Sequence, residues 1–105
     1  MTQNELNTFI QQNPIAVLYF KTNNCGVCEV ILPRVEAITQ PLNIPVLVVN
    51  VADNLELAAQ NMVMNAPLTK VFVDGREVFK EGAYIRLDQL EDLLAQYSEM
   101  LKTEN

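Results

Sequence analysis

Both cysteines of the chain stand in one short stretch, Asn23-Asn24-Cys25-Gly26-Val27-Cys28-Glu29. Two thiols this close can form a structural disulfide, supply half of a metal site, or work as a redox couple. A structural disulfide would be a poor staple, because closing so short a loop removes little entropy from the unfolded chain. Nor is a staple needed: a chain of 105 residues that is 50% hydrophobic can build a core unaided. A structural zinc site wants four ligands, usually Cys or His, and the chain has no histidine and no third cysteine. Zinc would therefore require a dimer or carboxylates, and no metal is expected. An inert buried pair is the bland alternative, since Cys is often a small hydrophobe. Against it, Asn23 and Asn24 read as an exposed turn.

A redox pair needs two different thiols, and the local pattern makes them different. Cys25 falls in the loop after the first strand, where the next helix begins. A helix N-terminus offers free N–H groups and a partial positive charge. Both favour a thiolate at Cys25 and lower its pKa below the free-thiol reference of about 8.5. Lys21 lies a few residues upstream and adds to this. Cys28 sits one turn further in, less exposed and less acidic. Gly26 leaves space beside Cys25 for a partner backbone. The expected roles follow: Cys25 attacks a substrate disulfide and Cys28 resolves the mixed disulfide.

The elements that must hold this pair are legible around it. Thr2-Gln3-Asn4-Glu5 is a capping box, and Leu6, Phe9 and Ile10 mark one face of a short helix that ends at Asn13-Pro14. Ile15 to Phe20 is a continuous apolar run, as for a strand buried on both faces. Val27, Ile31, Val35 and Ile38 recur at helical spacing, with Pro33 set to kink the helix. Pro45 to Val51 reads as a second buried strand, rich in β-branched residues. Strand, helix and strand make a βαβ unit with parallel strands. Asp53 is expected to cap a helix carrying Leu55, Ala58, Ala59 and Met62. Leu68 to Val73 and Arg76 to Lys80 flank Asp74-Gly75, a strong hairpin signal. Leu87, Leu90, Leu94, Tyr97 and Leu101 form the stripe of a last amphipathic helix.

The formal net charge of −6 and a pI near 4.4 argue against nucleic acid and against an anionic membrane surface as partners. The polar start, Met-Thr-Gln-Asn-Glu-Leu, has no basic or long apolar leader, and the longest apolar runs are too short to span a bilayer. The expectation is a cytoplasmic protein, where a lone Cys pair is more often catalytic or metal-binding than structural.

Over nearly its whole length the chain resembles the thioredoxin-like family. The strand from Ala16 to Phe20 leads into Cys25-Gly26-Val27-Cys28, with Pro33 in the following helix. Ala66-Pro67 matches the family's cis-proline, Asp74-Gly75 its last hairpin, and Gly82-Ala83 the glycine that floors its substrate groove. The resemblance implies an α/β thioredoxin-like fold, residues 1–105 forming a single domain. Its mixed four-stranded sheet would run in the order 2-1-3-4 with helices on both faces, and the family's extra first strand would be missing. It implies a groove of Gly26, Val27, Ala66, Pro67, Gly82 and Ala83, with the Ala66 backbone beside Cys25 to pair with an extended substrate.

The departures from the family pattern are specific. Asn24 and Lys21 replace tryptophans, Val27 replaces the central proline, Tyr19 stands at the buried aspartate, and Val48 at its lysine neighbour. Tyr19 is a poor base near neutrality, and Glu29 is expected to point to solvent. Glutaredoxin fits less well, since its Pro-Tyr between the cysteines and its Gly-Gly are absent. The implied activity is that of a thiol–disulfide reductase acting on protein or low-molecular-weight mixed disulfides. A thioredoxin-reductase-like flavoprotein or a small thiol would be the electron donor. No bound cofactor is expected, and a monomer is. The rival reading is a binding or adaptor module using the same groove, with Met64 and Tyr84 among its apolar contacts and the cysteines idle or regulatory.

Overall fold

The elements follow from the pattern of buried residues along the chain. In the computed structural model, which describes residues 1–103, α1 (Gln3–Gln12) starts at a Thr2 cap. The Thr2 hydroxyl accepts the Glu5 N–H and the Glu5 carboxylate accepts the Thr2 N–H, so the capping box is complete. Strand β1 (Ile15–Lys21) is buried from Ile15 through Phe20. Helix α2 (Gly26–Thr39) runs through Pro33, whose missing N–H cannot bond the Glu29 carbonyl. Strand β2 (Val46–Asn50), helix α3 (Leu55–Gln60), strands β3 (Leu68–Val73) and β4 (Arg76–Glu81) and helix α4 (Leu87–Thr103) complete the order αβαβαββα.

The four strands form one mixed sheet in the order β2-β1-β3-β4, as the resemblance implies. β1 and β2 are parallel, with Lys21 opposite Asn50 at their ends. β1 pairs antiparallel with β3 and β3 with β4. Asp74 and Gly75 both hold positive φ, as the tight turn joining β3 to β4 requires. One face of the sheet packs Val17, Tyr19 and Val71 against Ile31, Val35, Leu90 and Leu94 of α2 and α4. The other packs Leu18, Phe20 and Val49 against Leu6 and Leu57 of α1 and α3. The alternation of β1 side chains between these clusters is why its sequence is apolar without a break.

Four details depart from the sequence-based expectation. β2 is not a buried strand: it is a sheet edge, with only Val49 buried and Val48 exposed. Val27 is half exposed, and Cys28 takes its place on the buried stripe of α2. Asp53 does not cap α3. A short 3₁₀ turn at Val51–Asp53 shifts the start by one residue, so Asn54 stands at the cap, and its side chain is engaged elsewhere, donating to the Asn50 carbonyl. Met62 lies beyond α3, at φ 56. There its N–H bonds the Ala59 carbonyl while the Val63 N–H bonds that of Ala58, the pattern of a left-handed helix stop.

The two sheet edges differ. β4 carries Arg76, Glu77, Lys80 and Glu81, and a register shift leaves Val78 unpaired. Charge and a bulge are the usual guards of an edge. β2, Val-Leu-Val-Val-Asn, carries no charge.

Candidate active site

Sheet register gathers the candidate residues at one end of the molecule. Phe20 lies opposite Leu68, so the chain leaving β1 toward Cys25 runs beside Ala66 and Pro67 as they enter β3. Thr69 lies opposite Glu81, which puts Gly82 and Ala83 beside Pro67. A Cβ placed on Gly82 would stand 3.6 Å from the Pro67 carbonyl oxygen. The Ala66–Pro67 peptide bond is cis.

Cys25 and Cys28 are bonded as a disulfide, with Cα atoms 5.3 Å apart. Their surroundings are unequal. Cys25 is the N-cap of α2, with extended backbone and a partly exposed side chain, and the Cys28 N–H donates to its Sγ at 3.1 Å. A thiolate at that sulfur would keep this donor and gain from the positive end of the helix. Cys28 is buried, 1% exposed. The turn before them, Asn23-Asn24, is exposed as expected, and Asn24 sits at φ 53, a conformation asparagine tolerates better than most residues. Gly26 is exposed, and a Cβ there would meet nothing within 4 Å, so the space over it is open to a partner.

Behind the pair stands Tyr19. Its side chain is fully buried and its hydroxyl donates to the Cys28 carbonyl at 2.8 Å. Burial, reinforced by the nearby Glu29 carboxylate, pushes the phenol up to about 12. Lys21 does not stand free beside Cys25: its ammonium pairs with the exposed Glu29 at 3.0 Å. Glu29 thus faces solvent as expected, but with a partner that the sequence reading assigned to Cys25.

An apolar cavity of about 460 Å³ adjoins Ala66 and Pro67, lined also by Met62, Met64, Gly82 and Tyr84. Met64 and Tyr84 are almost wholly exposed, and Lys80 is the charged residue in the lining. The loop from Gly82 onward is bracketed at its base. Glu81 accepts from the Arg86 guanidinium and, at 2.8 Å, from the Arg86 N–H. These bonds hold the Glu81 carboxyl below the usual carboxylate range.

Sequence reasoning missed Met62, Lys80 and the Glu81–Arg86 bracket. The sequence reading puts Met62 inside a helix and Lys80 at the end of a hairpin strand, and it singles out neither Glu81 nor Arg86. Asn50 was missed as well. Its side-chain amide donates to Asn23 Oδ1 at 2.9 Å, from β2 to the turn before Cys25. No local pattern signals a contact between residues so far apart in the chain.

No helix among the described residues is long and apolar enough to cross a membrane. The sequence profile of the thioredoxin family matches residues 1–96. A thioredoxin-like protein of Bacillus subtilis (strain 168), YdfQ, is 29% identical over 90 residues, covering 85% of this chain and 80% of that protein. Among solved structures, a mutant thioredoxin from Halobacterium salinarum NRC-1 is 28% identical, with a TM-score of 0.82 over 93% of this chain and 87% of that one. The oxidised thioredoxin of Plasmodium falciparum is 26% identical, with a TM-score of 0.73 over 92% and 93%. A profile match across most of the chain, together with the shared fold and the cysteine pair at the head of α2, places this protein in the thioredoxin family, as a thioredoxin-like oxidoreductase with its Cys25–Cys28 pair in the disulfide form.

Proposed function

We propose that the chain is a single-domain cytoplasmic protein-disulfide reductase in which Cys25 is the attacking thiol and Cys28 the resolving one. The observation that carries this reading is the Cys28 N–H held on Cys25 Sγ at the start of α2. It favours negative charge on one sulfur and not on the other. In the reduced protein the Cys25 thiolate attacks one sulfur of a substrate disulfide, and the other substrate sulfur leaves as thiolate. Cys28, once deprotonated, attacks the Cys25 sulfur. The second substrate thiolate leaves and the Cys25–Cys28 disulfide forms, so two electrons have passed to the substrate. A thioredoxin-reductase-like flavoprotein or a small thiol returns them. The substrate lies extended over Gly26, Val27, Ala66, Pro67, Gly82 and Ala83, its backbone pairing with that of Ala66. The exposed apolar surface of Met64 and Tyr84 suits a protein substrate better than a small polar thiol.

Reduction of insulin driven by dithiothreitol tests the activity. Turnover in the wild type that is lost in Cys25→Ser is the expected result. No turnover in the wild type would leave the chain as a binding module. The roles are tested by iodoacetamide on the reduced protein near neutral pH, where Cys25 is expected to react first. Faster labelling of Cys28 would reverse the assignment.

A further inference from the structure

We propose that Asn50 is a positioning residue for Cys25, acting through Asn23. The inference rests on the reading of Cys25 as the attacking thiol. The turn Thr22-Asn23-Asn24 must deliver Cys25 to the cap of α2, and it does so through a residue at positive φ, Asn24. Among the described residues, one side-chain hydrogen bond reaches this turn from another element: Asn50 Nδ2 to Asn23 Oδ1. It crosses just beyond the last paired residues of β1 and β2, Lys21 and Asn50.

Asn50 is itself fixed on both sides. Its Oδ1 accepts the Ala52 N–H at 2.9 Å, and its carbonyl accepts Asn54 Nδ2 at 2.9 Å. A donor anchored this firmly transmits the position of β2 to the turn rather than drifting with it. The turn in turn sets where Cys25 Sγ lies relative to the Cys28 N–H. Releasing the clasp lets the turn relax toward the unstrained side of its conformational range, and Sγ then spends part of its time away from its donor. The thiolate is less favoured, and the Cys25 titration moves to higher pH.

The test is the pH profile of iodoacetamide labelling of Cys25, located by peptide mapping. It compares the reduced wild type with Asn23→Ala, Asn50→Ala and the double variant. Asn23→Ala removes only the clasp from an exposed residue, so it keeps the test valid even if Asn50→Ala folds poorly. Each single variant should label about two- to fivefold more slowly near neutral pH, the scale of one neutral hydrogen bond. Both should regain the wild-type rate at high pH, and the double variant should behave like either single one. A profile unchanged in Asn23→Ala overturns the proposal, whatever happens to stability. So does a double variant whose effect is the product of the two singles. The order of labelling in the wild type tests the Cys25 assignment separately, so failure of the clasp is distinguishable from failure of the role.

Discussion

Tyr19 keeps its proton in the place where the thioredoxin-like pattern has a buried aspartate. Its hydroxyl is committed as a donor to the Cys28 carbonyl, and the phenol is held near 12. Among the described residues the one buried charged side chain is Lys70, paired with Glu77 and bonded to the Asn61 carbonyl. None of the described carboxylates is buried there to take a proton from Cys28, so in the proposed resolving step that proton would leave to solvent or hydroxide. Single-turnover resolution of the mixed disulfide should therefore speed up between about pH 6 and 8. A fast rate that is flat over this window would sink the idea. Tyr19 also gives stability a pH dependence. The folded protein favours the protonated phenol, so this contribution is complete below the unfolded pKa of 10.0 and is lost as pH rises to about 12. The loss is on the order of 2–3 kcal/mol. Urea titrations across that range should show it in the wild type and not in Tyr19→Phe, which should be less stable at neutral pH by about 1 kcal/mol for the missing bond.

At the level of elements, what could be read from the sequence was what a single short window encodes. Thr2 and Glu5 lie three residues apart and cap α1 as read. Asp74-Gly75 demands a left-handed turn and makes one. The unbroken run of Ile15 to Phe20 is buried throughout. The misreadings arise where two windows compete or where the partner is distant. Asp53 and Asn54 are both good caps, and the intervening 3₁₀ turn, held by Asn50, decided between them. β2 has the composition of a buried strand, but its rank in the sheet makes it an edge. The cysteines declared themselves, while the groove beside them depends on β3–β4 register and on Met62 leaving its helix. Two outcomes follow. Thr2→Ala should cost about 1 kcal/mol by denaturant titration and leave insulin reduction unchanged, since α1 contributes no residue to the cavity lining. Glu81→Gln should loosen the 82–86 loop, raising KM for a protein substrate without altering Cys25 labelling. The Glu81 carboxyl is held low by Arg86, so its contribution is present above the ordinary glutamate value of 4.5 and lost as pH falls through the lowered pKa. Acid unfolding should consequently begin at higher pH when the bracket is removed.

For the whole molecule, the contrast between its edges and the sign of its surface set how it meets others. The β4 side is charged and bulged, the β2 side uncharged, and the chain as a whole carries −6. With no histidine in the sequence, few groups change charge near neutrality, and the Cys28 N–H on Cys25 Sγ has a consequence for migration in an electric field. The disulfide is neutral. Its reduction, at a pH above that of the Cys25 thiol, places an anion at the head of α2 and takes the formal charge from −6 to about −7. On a native gel the reduced protein should run ahead of the oxidised one. The monomeric Cys28→Ser variant should run with the reduced band under either condition, and Cys25→Ser should show no redox-dependent shift. Electrons gained by this protein are thereby also a visible change in its charge, and a partner with a basic docking face would tell the loaded carrier from the spent one by attraction alone.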